Sequence, residues 1–139
     1  KYRIEDALNA TRAAVSDGIV PGGGAALLHS SGAALDDLLS KTSSFDMQQG
    51  IKLLRTACRS PLYWIVKNAD LSVDVVLDRI RRDAKDARWG YNVKTDAVCD
   101  MLSAGIIDPV HVTRTALQNA VSVALTFLSL DAAITTEEA

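Results

Sequence analysis

Three consecutive glycines follow a proline in Pro21-Gly22-Gly23-Gly24 and come directly before an alanine- and leucine-rich segment. Because glycine has no Cβ, its backbone can approach a ligand closely, and the N–H groups at the start of a helix attract anions. The loop lacks the Lys-Ser/Thr pair of a P-loop and the spacing of GxGxxG. It predicts either a phosphate-contacting loop or a tight turn where two helices pack, and the residues alone leave both open.

Two aspartates and one turn are the other candidates for chemistry. Asp6 stands in the first turn of a predicted helix, where a carboxylate usually complements the helix dipole. Asp108 precedes Pro109, which is typical of a helix N-cap, although a carboxylate keeps lone pairs for a second contact. Gly90-Tyr91-Asn92 is a turn signature that contains an aromatic side chain.

The histidines and cysteines form no pattern that is typical of catalysis or metal binding. His29 and His111 lie far apart in the sequence, and no Ser or Cys is placed to form a nucleophile pair with them. Cys58 and Cys99 have no CxxC spacing. The pattern predicts no metal site and two free thiols in a reducing compartment.

Hydrophobic spacing predicts a mostly α fold with a small β element. The predicted helices cover residues 4–17, 25–39, 46–58 with a continuation over 62–67 after Pro61, 73–82, and 109–130. Asp46, Ser72 and Asp108 are the predicted N-caps. The predictions between and after the helices are a turn and short extended piece at 89–93, a short helix at 96–103, and a terminal strand at 132–136.

The composition fits one globular domain. The chain has 139 residues, 48% hydrophobic and 23% charged, with a net charge of −2. This charge argues against a general nucleic-acid surface, and no apolar run reaches the ~20 residues that span a bilayer. The chain begins with Lys1 and enters a helical pattern almost at once, which favours a segment of a longer protein.

Two long blocks of sequence carry more information than the chemistry of their individual residues, because their order and spacing resemble those of a known family. Residues 4–15 (IEDALNATRAAV) and 18–28 (GIVPGGGAALL) closely resemble the group I chaperonins, the GroEL-type sixty-kilodalton heat-shock proteins. Residues 90–92 (GYN), 105–109 (GIIDP) and 112–120 (VTRTALQNA) resemble the closing part of the same family. The order and spacing agree across nearly the whole chain.

The resemblance implies a position and an activity. Residues 1–16 would be the C-terminal part of the intermediate, or hinge, domain, and residues 17–139 the C-terminal part of the equatorial ATP-binding domain. The full-length subunit would be an ATPase that assists the folding and refolding of proteins inside a ring. Its partners would be identical ring subunits, a co-chaperonin lid and unfolded polypeptides. ATP and Mg²⁺ would be its cofactors, with the Mg²⁺ site mainly in the N-terminal half.

The resemblance also assigns residues. Asp6 matches the catalytic aspartate that orients the water attacking the γ-phosphate. Gly23 matches the glycine whose backbone lies against the nucleotide, and Asp108 the aspartate that hydrogen-bonds the ribose. Asn92, Val93 and Lys94 border the adenine, although the family commonly has two small residues where this chain has Val93 and Lys94. The segment alone is expected to hydrolyse no ATP and to expose apolar helix faces.

A second reading keeps the shape without the activity. The chain would then be a stand-alone helical scaffold or interaction module, derived from a chaperonin but without ATP turnover. For the compartment, the mitochondrial matrix is preferred over the bacterial cytoplasm and the plastid stroma.

Overall fold

The protein is described by a computed structural model that covers residues 2–132. This part of the chain contains five α-helices and four short β-strands, which confirms the mostly α fold with a small β element. The elements in chain order are α1 (Tyr2–Asp17), β1 (Ile19–Pro21), α2 (Ala25–Lys41), α3 (Phe45–Asn68), α4 (Val73–Asp83), β2 (Trp89–Asn92), β3 (Ala97–Asp100), β4 (Ile107–Pro109) and α5 (Val110–Leu128).

The core lies where α3 and α4 pack against the first strand of a hairpin. Leu62 and Val66 on α3, Val76 and Ile80 on α4, and Tyr91 on β2 are all nearly inaccessible to solvent. Cys58, Leu62 and Val66 are four residues apart, so they share one face of α3. Burial of this face stabilises the fold, since each large apolar side chain contributes roughly 1.5–3 kcal/mol.

Helix α3 differs from its prediction at two points. It begins after Ser44, whose hydroxyl accepts a hydrogen bond from the Met47 N–H, so Ser44 and not Asp46 is the N-cap. It also runs as one helix through Pro61, where the sequence predicts a break or a kink. Proline removes one helical hydrogen bond, and the buried side chains on both sides of Pro61 outweigh that loss. Ser72 is the N-cap of α4 as predicted, without a side-chain hydrogen bond.

The prediction of a helix at 96–103 is wrong, because this stretch contributes β3 to an antiparallel hairpin with β2. Trp89 is paired with Asp100 and Asn92 with Ala97. The chain reverses through residues 93–96, where Asp96 adopts a left-handed φ of 52° that ends any helical path. After β3, the Asp100 carboxylate accepts hydrogen bonds from the backbone N–H groups of Leu102 and Ser103, and these bonds close a turn.

A second antiparallel pair joins a strand from the first part of the chain to a strand from the last part. Strand β1 pairs with β4, with Ile19 opposite Pro109 and Pro21 opposite Ile107. This pairing holds Asp108 in extended backbone, so the prediction that Asp108 caps α5 is wrong: Pro109 is the N-cap and the helix begins at Val110. The carboxylate of Asp108 therefore has no capping role.

Helices α1 and α5 pack on each other and on β4, away from the core, and neither contains a buried residue. The apolar spacing of α5 predicts an inward face made of Leu117, Ala120, Val121, Ala124, Phe127 and Leu128. Only Leu117 is half-buried, while Phe127 and Leu128 are 69% and 77% exposed. The prediction is wrong for this chain because nothing in the described part covers the second half of α5. The predicted strand at 132–136 lies, beyond Ala132, outside the described residues.

Two glycines with left-handed backbone differ in what surrounds them, and this gives a matched test. A Cβ on Gly24 (φ 80°) would lie 2.6 Å from the Leu62 backbone nitrogen, whereas one on Gly18 (φ 86°) would meet nothing within 4 Å. Gly18→Ala should cost only the backbone strain, about 1–2 kcal/mol. Gly24→Ala should cost about 1–3 kcal/mol more, because α2 and α3 must separate.

Urea unfolding of both variants checks this expectation. Equal losses of unfolding free energy for the two substitutions would show that the close approach of Gly24 to α3 has no energetic consequence.

Candidate functional site

One cavity collects four of the six predicted site residues. It has a volume of about 380 Å³ and opens between the glycine loop, the turn of the β2–β3 hairpin and the loop before β4. Gly23 lines one wall, and Asn92, Val93 and Lys94 line another. The remaining lining residues are Ile65, Tyr91, Met101, Ala104, Gly105 and Ile106. Segments almost 70 residues apart in sequence therefore meet here.

The glycine loop is held from both sides by backbone. The Gly22 N–H donates to the Ile106 carbonyl at 2.9 Å, and a Cβ on Gly22 would lie 3.0 Å from the Ile106 backbone. Gly24 lies against Leu62 of α3 on the other side. The tight-turn interpretation therefore explains Gly22 and Gly24. Gly23, with a φ of 65°, is the glycine that faces the cavity.

The loop also retains hydrogen-bond donors. Within residues 2–132, no hydrogen bond uses the backbone N–H of Gly23 or of Gly24. Backbone N–H groups in left-handed and turn conformations at the start of a helix are the usual donors to bound anions. Both interpretations of the loop therefore agree with the geometry. The tight turn accounts for the close contacts of Gly22 and Gly24, and the backbone N–H groups of Gly23 and Gly24 remain available to a ligand.

The hairpin turn presents three different side chains to the same cavity. The Asn92 side-chain oxygen accepts a hydrogen bond from the Lys94 N–H at 3.0 Å, which fixes the turn. Val93 packs against the hydrophobic core, and Lys94 is exposed. The turn therefore combines an apolar surface, one side-chain amide and one exposed cation at the cavity.

A buried tyrosine supports this turn, and the sequence did not identify its partners. The Tyr91 hydroxyl donates to the Asp96 carboxylate and accepts from Arg79 of α4 at 3.2 Å. Burial, then the Asp96 carboxylate, raises the pKa of Tyr91, while the hydrogen bond from Tyr91 lowers the pKa of Asp96. The tyrosine therefore stays protonated and the aspartate ionised at neutral pH. From the sequence alone, Arg79 belongs to a charged helix end that is expected to be solvated.

Asp108 lies apart from the cavity that Gly23 lines. It lines a smaller one of about 180 Å³ with Ala10 and Thr11 of α1 and with Ile19 of β1. Its side chain is half-buried and has no hydrogen-bond partner among the described residues, and burial raises its pKa. A half-buried carboxylate that has no protein partner keeps its hydrogen-bonding capacity for a ligand, and such groups are frequent at functional sites.

Asp6 is exposed on α1 and lines neither of these cavities. The other end of α1 is fixed: the Asp17 carboxylate lies 3.1 Å from His111 Nδ1 and 3.7 Å from the Arg114 guanidinium, both on α5. A hydrogen bond from Ser16 and the interaction with His111 lower the pKa of Asp17. The structure thus anchors α1 at its C-terminal end and leaves Asp6 in solvent.

Metal clusters, membrane-spanning helices and disulfides are absent from the described part of the chain. Residues 2–132 contain no group of three or more His, Cys, Asp or Glu side chains that could hold a metal ion. None of the helices in this range is long and apolar enough to cross a membrane. Both cysteines are free thiols, Cys58 in the core and Cys99 half-buried on β3.

This combination of helices, glycine loop and hairpin is the fold of part of a chaperonin subunit. The chain superposes on a structure described as a group III chaperonin in the open state with a TM-score of 0.78 and 26% identity, over 88% of this chain and 25% of that one. A group II chaperonin monomer from Methanococcoides burtonii, also in the open state, gives a TM-score of 0.76 over 85% of this chain and 30% of that one. Its 21% identity supports the fold alone.

The sequence profile of the TCP-1/cpn60 chaperonin family matches residues 1–138. The chain belongs to this family. The prediction of a chaperonin segment is therefore confirmed at the level of the family. The chain spans only about a quarter to 30% of the two solved chains, so the activity of a whole subunit is a matter for proposal.

The desolvated carboxylate of Asp108 predicts a pH-dependent stability. Its pKa is raised above the ordinary 3.8, so the native state binds the proton more tightly than the unfolded chain. The resulting stabilisation is complete below pH 3.8 and is lost as the pH rises through the native pKa. Asp108→Asn should therefore unfold at higher urea than the wild type at pH 7, and the two should converge at about pH 3.

Urea titrations at the two pH values provide the measurement. Asp131→Asn, at an exposed position after α5, is the control and should leave the midpoint unchanged. A destabilised Asp108→Asn variant at pH 7 would mean that the carboxylate makes a favourable native contact.

Proposed function

We propose that the chain is part of an ATP-dependent chaperonin subunit that assists protein folding and refolding inside a ring. The observation that carries the nucleotide part of this proposal is the cavity where Gly23 meets Asn92, Val93 and Lys94. Family membership supports the chaperonin part. The loop supplies backbone N–H donors for a phosphate, and the hairpin turn supplies an apolar edge and an amide for a base.

Asp108 is proposed to accept a hydrogen bond from a ribose hydroxyl. Its carboxylate is half-buried and has no partner in the described chain. A hydroxyl donor would offset the desolvation of the carboxylate without requiring a countercharge. Asp108 lies two residues after Ile106, which lines the nucleotide cavity, and strand β4 fixes this short separation.

The residues that the structure describes, 2–132, do not fit a Mg²⁺ site. The described part offers no cluster of three carboxylate, His or Cys ligands, and Asp6 stands alone on α1. We place the Mg²⁺ site, and a second loop that would hold the transferred phosphoryl group, in the N-terminal part of the subunit. Electrostatic stabilisation of the transferred phosphoryl group therefore comes from outside this chain, and the chain by itself releases no phosphate.

Asp6 is proposed to orient the attacking water as a general base. Its exposure and its distance in sequence from the anchored end of α1 suit a carboxylate that reaches the nucleotide only in a closed conformation. In this assignment residues 1–16 belong to the intermediate domain and residues 17–139 to the equatorial domain. This proposed division lies close to the end of α1 at Asp17, which is followed by the left-handed backbone of Gly18.

The finer identity proposed is a group I chaperonin that works with a separate co-chaperonin lid, with the mitochondrial matrix as its compartment. The two blocks at 4–28 and 105–120 support this group, and the solved group II and group III structures share the fold. Exposed apolar residues on α5, Val121, Val123, Leu125, Phe127 and Leu128, fit burial against the remainder of a subunit. ATP-dependent binding of a co-chaperonin by the full-length protein tests the group.

Nucleotide affinity tests the proposed site directly. In the full-length protein, Asp108→Asn should weaken ADP binding about tenfold, because a hydrogen bond to a charged group is worth roughly 1.5–3 kcal/mol. Calorimetric titration provides the measurement, and Asp37→Asn, an exposed change on α2, is the matched control. Wild-type protein that binds no ADP would favour the scaffold without ATP turnover.

Hydrolysis tests the role of Asp6. Asp6→Ala in the full-length protein should lower the ATPase kcat by about 10² or more, while ADP affinity stays unchanged, because a general base acts on the chemical step. Glu5→Ala removes the neighbouring carboxylate on the same helix turn and should leave kcat within about twofold. Phosphate release by the 139-residue chain alone, lost in Asp6→Ala, would contradict the need for the rest of the subunit.

A further inference from the structure

A second cavity, of about 350 Å³, opens on another side of the helical core and carries an excess of positive charge. Its apolar floor is made by Leu28, Leu77 and Ile80, from α2 and α4. Arg59 of α3, Arg81 of α4 and Lys85 of the following loop also line it. Three separate elements thus bring three cations to one concave surface, although the chain as a whole has a net charge of −2.

These cations are not neutralised within the described chain. Among residues 2–132, Arg59, Arg81 and Lys85 make no ion pair, whereas Arg55, one turn before Arg59, is paired with Asp36 at 2.6 Å. The one carboxylate that lines the cavity, Asp86, is already bound by Arg88, from both its backbone and its side chain. Three cations and this carboxylate leave a net charge of +2, and like charges gathered at one site favour an anion there.

A histidine at the edge of the cavity has a fixed hydrogen-bonding role. His29 Nε2 lies 2.7 Å from the Trp89 carbonyl oxygen, which only accepts, so Nε2 carries the proton. Nδ1 is then the remaining nitrogen of a side chain that lines the cavity. Lys85 Nζ lies 5.0 Å above the ring of the same Trp89, in a cation–π contact. Both groups are thus held near the cavity by β2.

We infer that this cavity binds a small organic phosphate monoester. The charge of such a ligand, about −1.5 to −2 at neutral pH, matches the net +2 of the lining better than a monocarboxylate does. Two guanidinium groups suit phosphate oxygens, to which each can donate two parallel hydrogen bonds. The apolar floor suits an organic body, and the volume falls in the range of small-molecule sites.

The inference is independent of the proposed function. Gly23, Asn92 and Lys94 line the other cavity and are absent from this one. The two cavities share no lining residue, although α3 contributes Arg59 to one and Ile65 to the other. Saturation of the nucleotide site with ADP should therefore leave the phosphate site open.

Calorimetry on the full-length protein, saturated with ADP, tests the site with phenyl phosphate as the probe. Wild type should bind phenyl phosphate more tightly than inorganic phosphate, which lacks the apolar body, and more tightly than benzoate, which lacks the second charge. Arg59→Gln and Arg81→Gln should each weaken binding about tenfold. Arg55→Gln, which removes a cation of the same helix outside the cavity, should leave the affinity unchanged.

Each other result overturns the inference. Absence of phenyl phosphate binding, or binding that is insensitive to Arg59→Gln and Arg81→Gln, removes the site. Equal affinity for benzoate contradicts a phosphate ligand, and equal affinity for inorganic phosphate contradicts an organic one. Tighter binding of a phosphoserine peptide would assign the surface to a protein partner. If ADP does not bind, the proposed function fails, while the phenyl phosphate titration stays interpretable.

Discussion

The close approach of the triple-glycine loop to two neighbouring segments is the constraint on which the rest of the structure depends. Gly24 touches the backbone of α3 at Leu62, and Gly22 is hydrogen-bonded to Ile106. A Cβ would lie 3.0 Å from the Ile106 backbone at Gly22 and 2.6 Å from the Leu62 nitrogen at Gly24, so both contacts favour glycine. The contacts set β1 beside β4 and place Gly23 opposite the hairpin turn. The cavity that carries the proposed function is therefore a result of how the helices pack.

Packing also divides the chain into two parts of different character. The core of α2, α3, α4 and the hairpin buries its apolar side chains, while α1 and α5 leave theirs in solvent over much of their length. An exposed Phe127 and Leu128 at the end of a helix are unfavourable for an isolated domain and are reasonable in a longer polypeptide. The apolar spacing of α5 predicts a buried face, whereas the side chains on that face are exposed. Membership of a family whose solved chains are longer explains the difference.

Much of the fold could be predicted from the sequence, and the errors have physical causes. Periodicity identified all five helices within a few residues, since their apolar spacing is strong. It failed for β3, because Asp96 takes a left-handed conformation that a local pattern does not reveal, and for the start of α5, because a distant strand holds Asp108 extended. Four residues of the predicted site meet at one cavity. The sequence could not identify the partners of Tyr91, which are Arg79 and Asp96, or the cavity lined by Arg59 and Arg81, because only tertiary contacts bring these residues together.

The ion pairs of α1 lie at its C-terminal end, so a rotation of the helix about this end would move Asp6 the most. Asp17 is tied to His111 and Arg114, and the break at Gly18 follows immediately. Asp6 lies eleven residues earlier, which corresponds to about 16 Å along the axis of a straight helix. A rotation of about 20° at the pivot would displace Asp6 by about 6 Å at that length. In that geometry, a small angular change near His111 would displace Asp6 by more than the diameter of a water molecule.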